Sequence, residues 1–225
     1  MKISCMSGLL LALFLNAGGA VAAPAPKFDP RVSAPQEVAI LSGGCFWGMQ
    51  GVFEHVKGVR EVVAGYTGGG ADTAHYEIVS TGATGHAESV QITFDPRVIS
   101  YGEILQIFVT VAADPTELNF QGPDQGTQYR SEIWYAPGDK QKEIASAYLT
   151  QLTQSGAFSS PIVTRLDPAQ RFYPAEGYHQ DFLVLHPDNP YIAYNDIPKL
   201  QALQAQFPQF YAATPVTTPA TAAGS

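Results

Sequence analysis

The chain is 225 residues long, with a formal net charge of −8, 14% charged residues and 45% hydrophobic ones. An acidic surplus of that size argues against nucleic acid or an anionic membrane surface as partner. With the first 22 residues set aside, about 200 remain, enough to bury one sizeable apolar core.

Met1 and Lys2 lead into an apolar stretch over residues 9–15, closed by the small-residue triplet Ala20-Val21-Ala22. This reads as a signal peptide over 1–22, because its apolar core falls short of the ~20 residues a membrane span needs. The protein is therefore expected to be exported, to a bacterial periplasm or beyond. Cleavage removes Cys5, one of 2 cysteines, and leaves Cys45 with no partner for an internal disulfide. Residues 23–36, rich in alanine and proline, are expected to form an extended linker, 37–211 the folded domain, and 212–225 a disordered tail.

Residues 37–41 read as a buried strand that enters Gly43-Gly44-Cys45-Phe46-Trp47-Gly48, after which Phe46, Met49, Phe53 and Val56 keep helical spacing. Cys45 thus stands at a strand-to-helix junction between glycines and aromatic rings, a setting for a reactive thiol. The N–H groups and dipole of the helix start are expected to lower its pKa. A second strand spans 59–66 and a third 88–94, which Asp95-Pro96 stops. An amphipathic helix covers 101–111, and a long polar loop covers 114–126. Residues 129–135 return as a strand, 139–152 as a helix capped by Gly156, and 162–166 as a last strand. The proline-rich remainder is expected to wrap the surface, with one helix over 175–185. The interleaving predicts an α/β (α+β) two-layer sandwich, a mixed central sheet flanked by helices, with a long C-terminal coil.

Other chemistries find no support. His86-Ala87-Glu88 imitates half of a zinc deaminase signature, but the paired-cysteine half is missing. No His-Glu-x-x-His pattern and no Gly-Lys dipeptide of a phosphate loop occur. His55, His75, His179 and His186 read as surface or core polar residues.

Four motifs stand in a telling order. These are Gly44-Cys45-Phe46-Trp47, Gly85-His86-Ala87-Glu88, the run from Asp124 through Gly126-Thr127-Gln128-Tyr129-Arg130-Ser131, and Tyr173-Pro174-Ala175-Glu176-Gly177-Tyr178-His179-Gln180. From about residue 37 to 211 the chain resembles the A class of peptide methionine sulfoxide reductases. The resemblance implies reduction of methionine-S-sulfoxide in proteins, and of the free amino acid, by attack of the Cys45 thiolate on the sulfoxide sulfur, which leaves Cys45 as a sulfenic acid. It makes Glu88 the acid, with a raised pKa, and Tyr76 and Tyr129 the hydroxyl donors to the sulfoxide oxygen. Phe46 and Trp47 become the aromatic cage around the methyl group, and Asp124 a supporting acidic position.

No bound cofactor or metal is implied. The resolving cysteines that other members carry near the C-terminus are absent, so an external thiol must reduce the sulfenic acid: a thioredoxin-like protein, or glutathione with glutaredoxin. Ala113 also stands where many members have a histidine. The expected partners are oxidised proteins bearing methionine sulfoxide and the thiol reductant, around a monomer. A thiol peroxidase and a secreted binding module are the competing readings.

Overall fold

The computed structural model describes residues 22–138 and 140–218. Residues 1–21, most of the expected signal peptide, lie outside the described residues, as do Asp139 and residues 219–225 of the expected tail.

Strand β1 (Glu37–Ser42) turns through two glycines into helix α1 (Phe46–Glu54), and β2 (Val59–Thr67) follows. A one-turn helix, α2 (Tyr76–Val79), precedes β3 (Ala87–Phe94). In β3, Val90, Ile92 and Phe94 are sealed while Gln91 and Thr93 between them are half-buried, the period of 2 expected of a strand with one face on the core. Helix α1 packs on β2 and β3 through Phe46, Met49, Val52 and Phe53, all at or below 1% exposure.

Helix α3 (Tyr101–Ile107) opens on a capping box, Ser100 accepting from the Glu103 N–H and Glu103 from the Ser100 N–H. Its expected continuation to Val111 is instead a π turn, Phe108–Ala112, which lays Phe108 and Ala113 against the backbone of Gly43. The polar loop contains a two-residue ladder of β4 (Phe120–Gln121) and β5 (Asp124–Gln125). Strand β6 (Glu132–Tyr135) begins later than 129 because Thr127–Tyr129 form a 3-10 turn. The Arg130 guanidinium holds that turn, donating to the carbonyls of Gly85, His86 and Thr127.

Helix α4 (Gln141–Ser155) ends at Gly156 with φ 66, and β7 (Arg165–Pro168) lies parallel to β6. After β8 (Tyr173–Pro174), the helix expected over 175–185 divides into a 3-10 turn, Gly177–His179, and α5 (Phe182–Leu185). Asp181 at φ 55 makes the break, and the Gln180 side chain pins it by bonding the Ala64 backbone and the Ala175 carbonyl. A π turn, Ile192–Asp196, then leads into α6 (Ile197–Gln206), where coil was expected. Pro198 lies in the first turn of α6, where a missing N–H costs nothing, so here proline starts a helix.

The six-stranded sheet runs β7-β6-β1-β3-β2-β8, antiparallel except for β6–β7, and is the expected mixed sheet flanked by helices. Residues 23–36 lie as an arm on the helices: Tyr148 donates to the Pro24 carbonyl at 3.0 Å and the Gln151 amide to that of Ala25 at 2.8 Å. Residues 212–218, expected to be disordered, form a strap across the end of α1. The N–H groups of Ala212 and Val216 donate to the His55 and Glu54 carbonyls at 2.8 and 2.9 Å, and that of Thr218 to Asp181 at 2.9 Å. The Thr218 hydroxyl donates to the Val62 carbonyl at 2.9 Å.

Candidate active site

Cys45 follows the end of β1, in the interior of the sheet between β3 and β6, and occupies the N-cap position of α1. Gly44 makes the turn at φ +90, a conformation a side chain resists. Gly48, one turn into α1, lets Asp196 approach so closely that any Cβ there would overlap the carboxylate.

Glu88, from β3, is 2% exposed and accepts from the Phe46 N–H at 3.0 Å, which fastens the acid to the first turn of the nucleophile's helix. Burial pushes its carboxyl up to about 8, with the Phe46 N–H opposing and the Asp124 charge adding. The raised value expected for Glu88 is therefore present. Tyr76 heads α2, which Glu176 anchors: one carboxylate oxygen accepts the Tyr76 N–H at 2.9 Å and the other the Tyr66 hydroxyl at 2.8 Å. Tyr129 closes the 3-10 turn that Arg130 holds, and Asp124 belongs to β5. Phe46 and Trp47 open α1.

These seven residues, from five separate stretches of chain, line one cavity of about 230 Å³ together with Tyr191. Tyr191 was not anticipated from sequence. Its hydroxyl donates to Asp124, and its ring meets Trp47 edge-on at 5.9 Å. One of 11 tyrosines in a stretch read as coil, it carries no local signature. His179, read as an ordinary polar residue, lies 2% exposed among Phe46, Trp47, Tyr76 and Tyr178. Asp196 and Lys199, ion-paired at 3.2 Å against α1, were likewise unforeseen.

The thiol corrects the sequence reading. The Trp47 N–H at the helix start does favour thiolate, but burial outweighs it, and the carboxyls of Glu88, Asp196 and Asp124 add to burial. The Cys45 pKa is raised well above its ordinary value, so the empty site holds a thiol. Burial likewise raises both Tyr76 and Tyr129, which keeps them as O–H donors. Among the described residues Cys45 is a free cysteine, no group of three or more His, Cys, Asp or Glu residues could hold a metal, and no helix is long and apolar enough to cross a membrane. The arrangement can present a sulfur nucleophile, one protonated carboxyl and two phenols to a small polar group flanked by an apolar one.

Comparison with known proteins agrees with that chemistry. The model of the family described as peptide methionine sulfoxide reductase matches residues 37–210. Peptide methionine sulfoxide reductase MsrA 2 of Mesorhizobium japonicum is 56% identical over 188 residues, 84% of this chain and 96% of its own length. The protein of the same name from Synechocystis is 50% identical over 76% of this chain and 79% of its own. Among solved structures, the reduced form of Mxr1 from Saccharomyces cerevisiae is similar with a TM-score of 0.60 and 30% identity, over 72% of this chain and 92% of that one. Methionine sulfoxide reductase A of Corynebacterium diphtheriae gives 0.57 and 32%, over 70% and 78%. The chain belongs to the peptide methionine sulfoxide reductases of the A class, enzymes that return methionine sulfoxide to methionine.

Proposed function

We propose that Cys45 is the nucleophile, that Glu88 is the acid and that Tyr76 and Tyr129 hold the sulfoxide oxygen, with the S epimer as substrate. The observation that carries this reading is the convergence of one thiol, one carboxyl pushed up to about 8 and two phenols on a single cavity walled by Phe46 and Trp47. The sulfoxide's methyl meets the aromatic rings while its oxygen meets the hydroxyls. Glu88 passes its proton to that oxygen, which leaves positive charge on the substrate sulfur. The carboxylates of Asp124 and Asp196, which disfavour a thiolate in the empty site, stabilise that cation. The Cys45 sulfur then attacks, its proton passes to Glu88, and the oxygen moves to Cys45. Sulfoxide and thiol thus become methionine and a sulfenic acid, with atoms and electrons balanced.

The chain has 2 cysteines, and the other, Cys5, lies in the apolar leader. Two equivalents of an external thiol must therefore return the sulfenic acid to thiol, releasing water and a disulfide. A thioredoxin-like protein or glutathione with glutaredoxin fits this need. The leader over 1–22 supports export, with reducing equivalents delivered outside the cytoplasm.

The decisive assay supplies separated S and R sulfoxide peptides with dithiothreitol, thioredoxin, or glutathione plus glutaredoxin. Turnover of the S epimer, one added oxygen on Cys45 by mass spectrometry when no reductant is present, and silence of Cys45→Ser are expected. Full turnover by Cys45→Ser would overturn the assignment. Export predicts that the protein recovered from outside the cytoplasm begins near Ala23.

A further inference from the structure

Trp47 is held at three places. Its face stacks on Phe182 with centroids 3.8 Å apart and 10° between planes, its ring packs T-shaped with Tyr191 at 5.9 Å, and its Nε1–H donates to Nδ1 of His179 at 3.0 Å. An indole nitrogen only donates, so Nδ1 must keep its lone pair and the single proton of a neutral imidazole must sit on Nε2. That Nε2 is buried with no hydrogen-bond partner among the described residues, inside a ring cluster with centroids at 5.0 Å to Phe46, 4.5 Å to Tyr76 and 4.2 Å to Tyr178. No step of the reaction above uses this imidazole, yet it touches the nucleophile's helix, one phenol donor and one aromatic wall at once.

We propose that His179 is a positioning residue that fixes the rotation of the Trp47 indole, and with it the width of the methyl subsite, and that it does so only as the neutral tautomer with a free Nδ1 lone pair. The inference rests on Trp47 being a wall of the substrate site. Protonation of Nδ1 would place two donors face to face, and the indole would lose its anchor. The groups facing His179 oppose each other on this point. Burial among rings lowers its pKa, while the Glu176 carboxylate works against that; Tyr76 and Tyr178 face it as neutral hydroxyl-bearing rings. Substrate affinity should therefore be stable through neutral pH and fail on the acid side, below the ordinary histidine range.

Two substitutions separate positioning from simple packing. His179→Asn puts an amide oxygen close to the Nδ1 position and keeps the acceptor, whereas His179→Gln carries its polar end toward the Nε2 position and removes it. With ¹⁵N-labelled tryptophan the protein gives two indole N–H signals, Trp47 and Trp134, and the first is identified by its loss in Trp47→Phe. In His179→Gln the Trp47 signal is expected to move upfield and exchange faster with water, and KM for a sulfoxide peptide to rise about tenfold, the loss of one partly buried hydrogen bond, with kcat changed far less. In His179→Asn both readouts return toward those of the parent, and the acid-side rise in KM disappears. Histidine ¹⁵N spectra of the unsubstituted protein read the tautomer directly, with no variant needed. A proton on Nδ1 of His179 at neutral pH, an unmoved Trp47 signal in His179→Gln, or equal loss in the two variants would overturn the proposal. The spectra report on the contact even where the turnover assay fails, so the two readings can fall separately.

Discussion

At the scale of single residues, two groups that must exchange a proton have both been pushed upward: burial raises the Cys45 thiol, and burial raises Glu88 to about 8. Raised values mean that the thiol and the acid are both protonated at neutral pH. Because Glu88 donates only while protonated, kcat/KM is expected to fall as pH rises through about 8, a limb that stopped-flow or steady-state pH profiles resolve. Glu88→Gln should erase that limb and slow the reaction by roughly 10²–10⁴-fold, the usual contribution of a positioned acid. Tyr129→Phe and Tyr76→Phe each remove one donor to the oxygen, and a loss approaching ~10² in kcat with little change in KM is expected, checked by single-turnover kinetics. In the substrate-free enzyme, alkylation of Cys45 should stay slow at neutral pH and accelerate only in alkali.

Cys45, Glu88 and Tyr129 stand in motifs whose residue types suit the chemistry, whereas Tyr76 lies outside all four motifs and came from the family resemblance alone. Tyr191, His179 and Asp196 were not legible, since a tyrosine, a histidine or an aspartate in a proline-rich stretch has many uses and only the tertiary path brings these three to α1. The sign of the thiol shift was also beyond reach. A helix start can be read from sequence, but the burial and the three carboxyls that outweigh it come from β3, β5 and the π turn before α6.

Among the elements, α1 does the most. Its first turn holds the nucleophile, the Glu88 bond and both aromatic walls, and its last turn receives the strap. Gly48→Ala would drive a methyl into the carboxylate of Asp196, which is wholly buried and ion-paired with Lys199, so relief requires that buried pair to shift. A loss of about 1–3 kcal/mol is expected in denaturant unfolding, with activity falling alongside because the first turn of α1 must shift. Strands β1, β2 and β3 and helices α1 and α4 were readable from hydrophobic period and from stops such as Asp95-Pro96 and Gly156, whereas β7 was placed too early and the two-residue β4, β5 and β8 are too short to show a period. The C-terminal third was misread for a physical reason: its backbone satisfies itself through Gln180, Asp181 and short π and 3-10 turns, none of which leaves a periodic apolar trace.

For the whole molecule, the strap and a carboxyl pair beneath α1 each add a testable contribution to stability. Glu54 is 1% exposed, and burial with the adjoining Asp181 carboxyl pushes it from 4.5 up to about 9. A folded-state value above the unfolded one means that the native protein binds the extra proton between those limits. The contribution of Glu54 is then complete below about pH 4.5 and declines as pH rises toward 9, by at most ~1.4 kcal/mol per pH unit. Glu54→Gln, which mimics the protonated form, is expected to flatten that decline when unfolding midpoints are compared from pH 5 to 9. Ending the chain at Tyr211 removes five strap bonds, to Gln50, Glu54, His55, Val62 and Asp181. At roughly 1 kcal/mol each, this should lower the denaturant midpoint clearly while the sheet persists in circular dichroism.

Met49, sealed at 0% exposure on the inner side of α1, is the only methionine among the described residues, the others in the chain being Met1 and Met6. Among the described residues, oxidants that create this enzyme's workload thus find no accessible thioether. Hydrogen peroxide at levels that oxidise exposed methionines of neighbouring proteins should therefore leave Met49 unmodified, as peptide mass mapping of the folded protein would show.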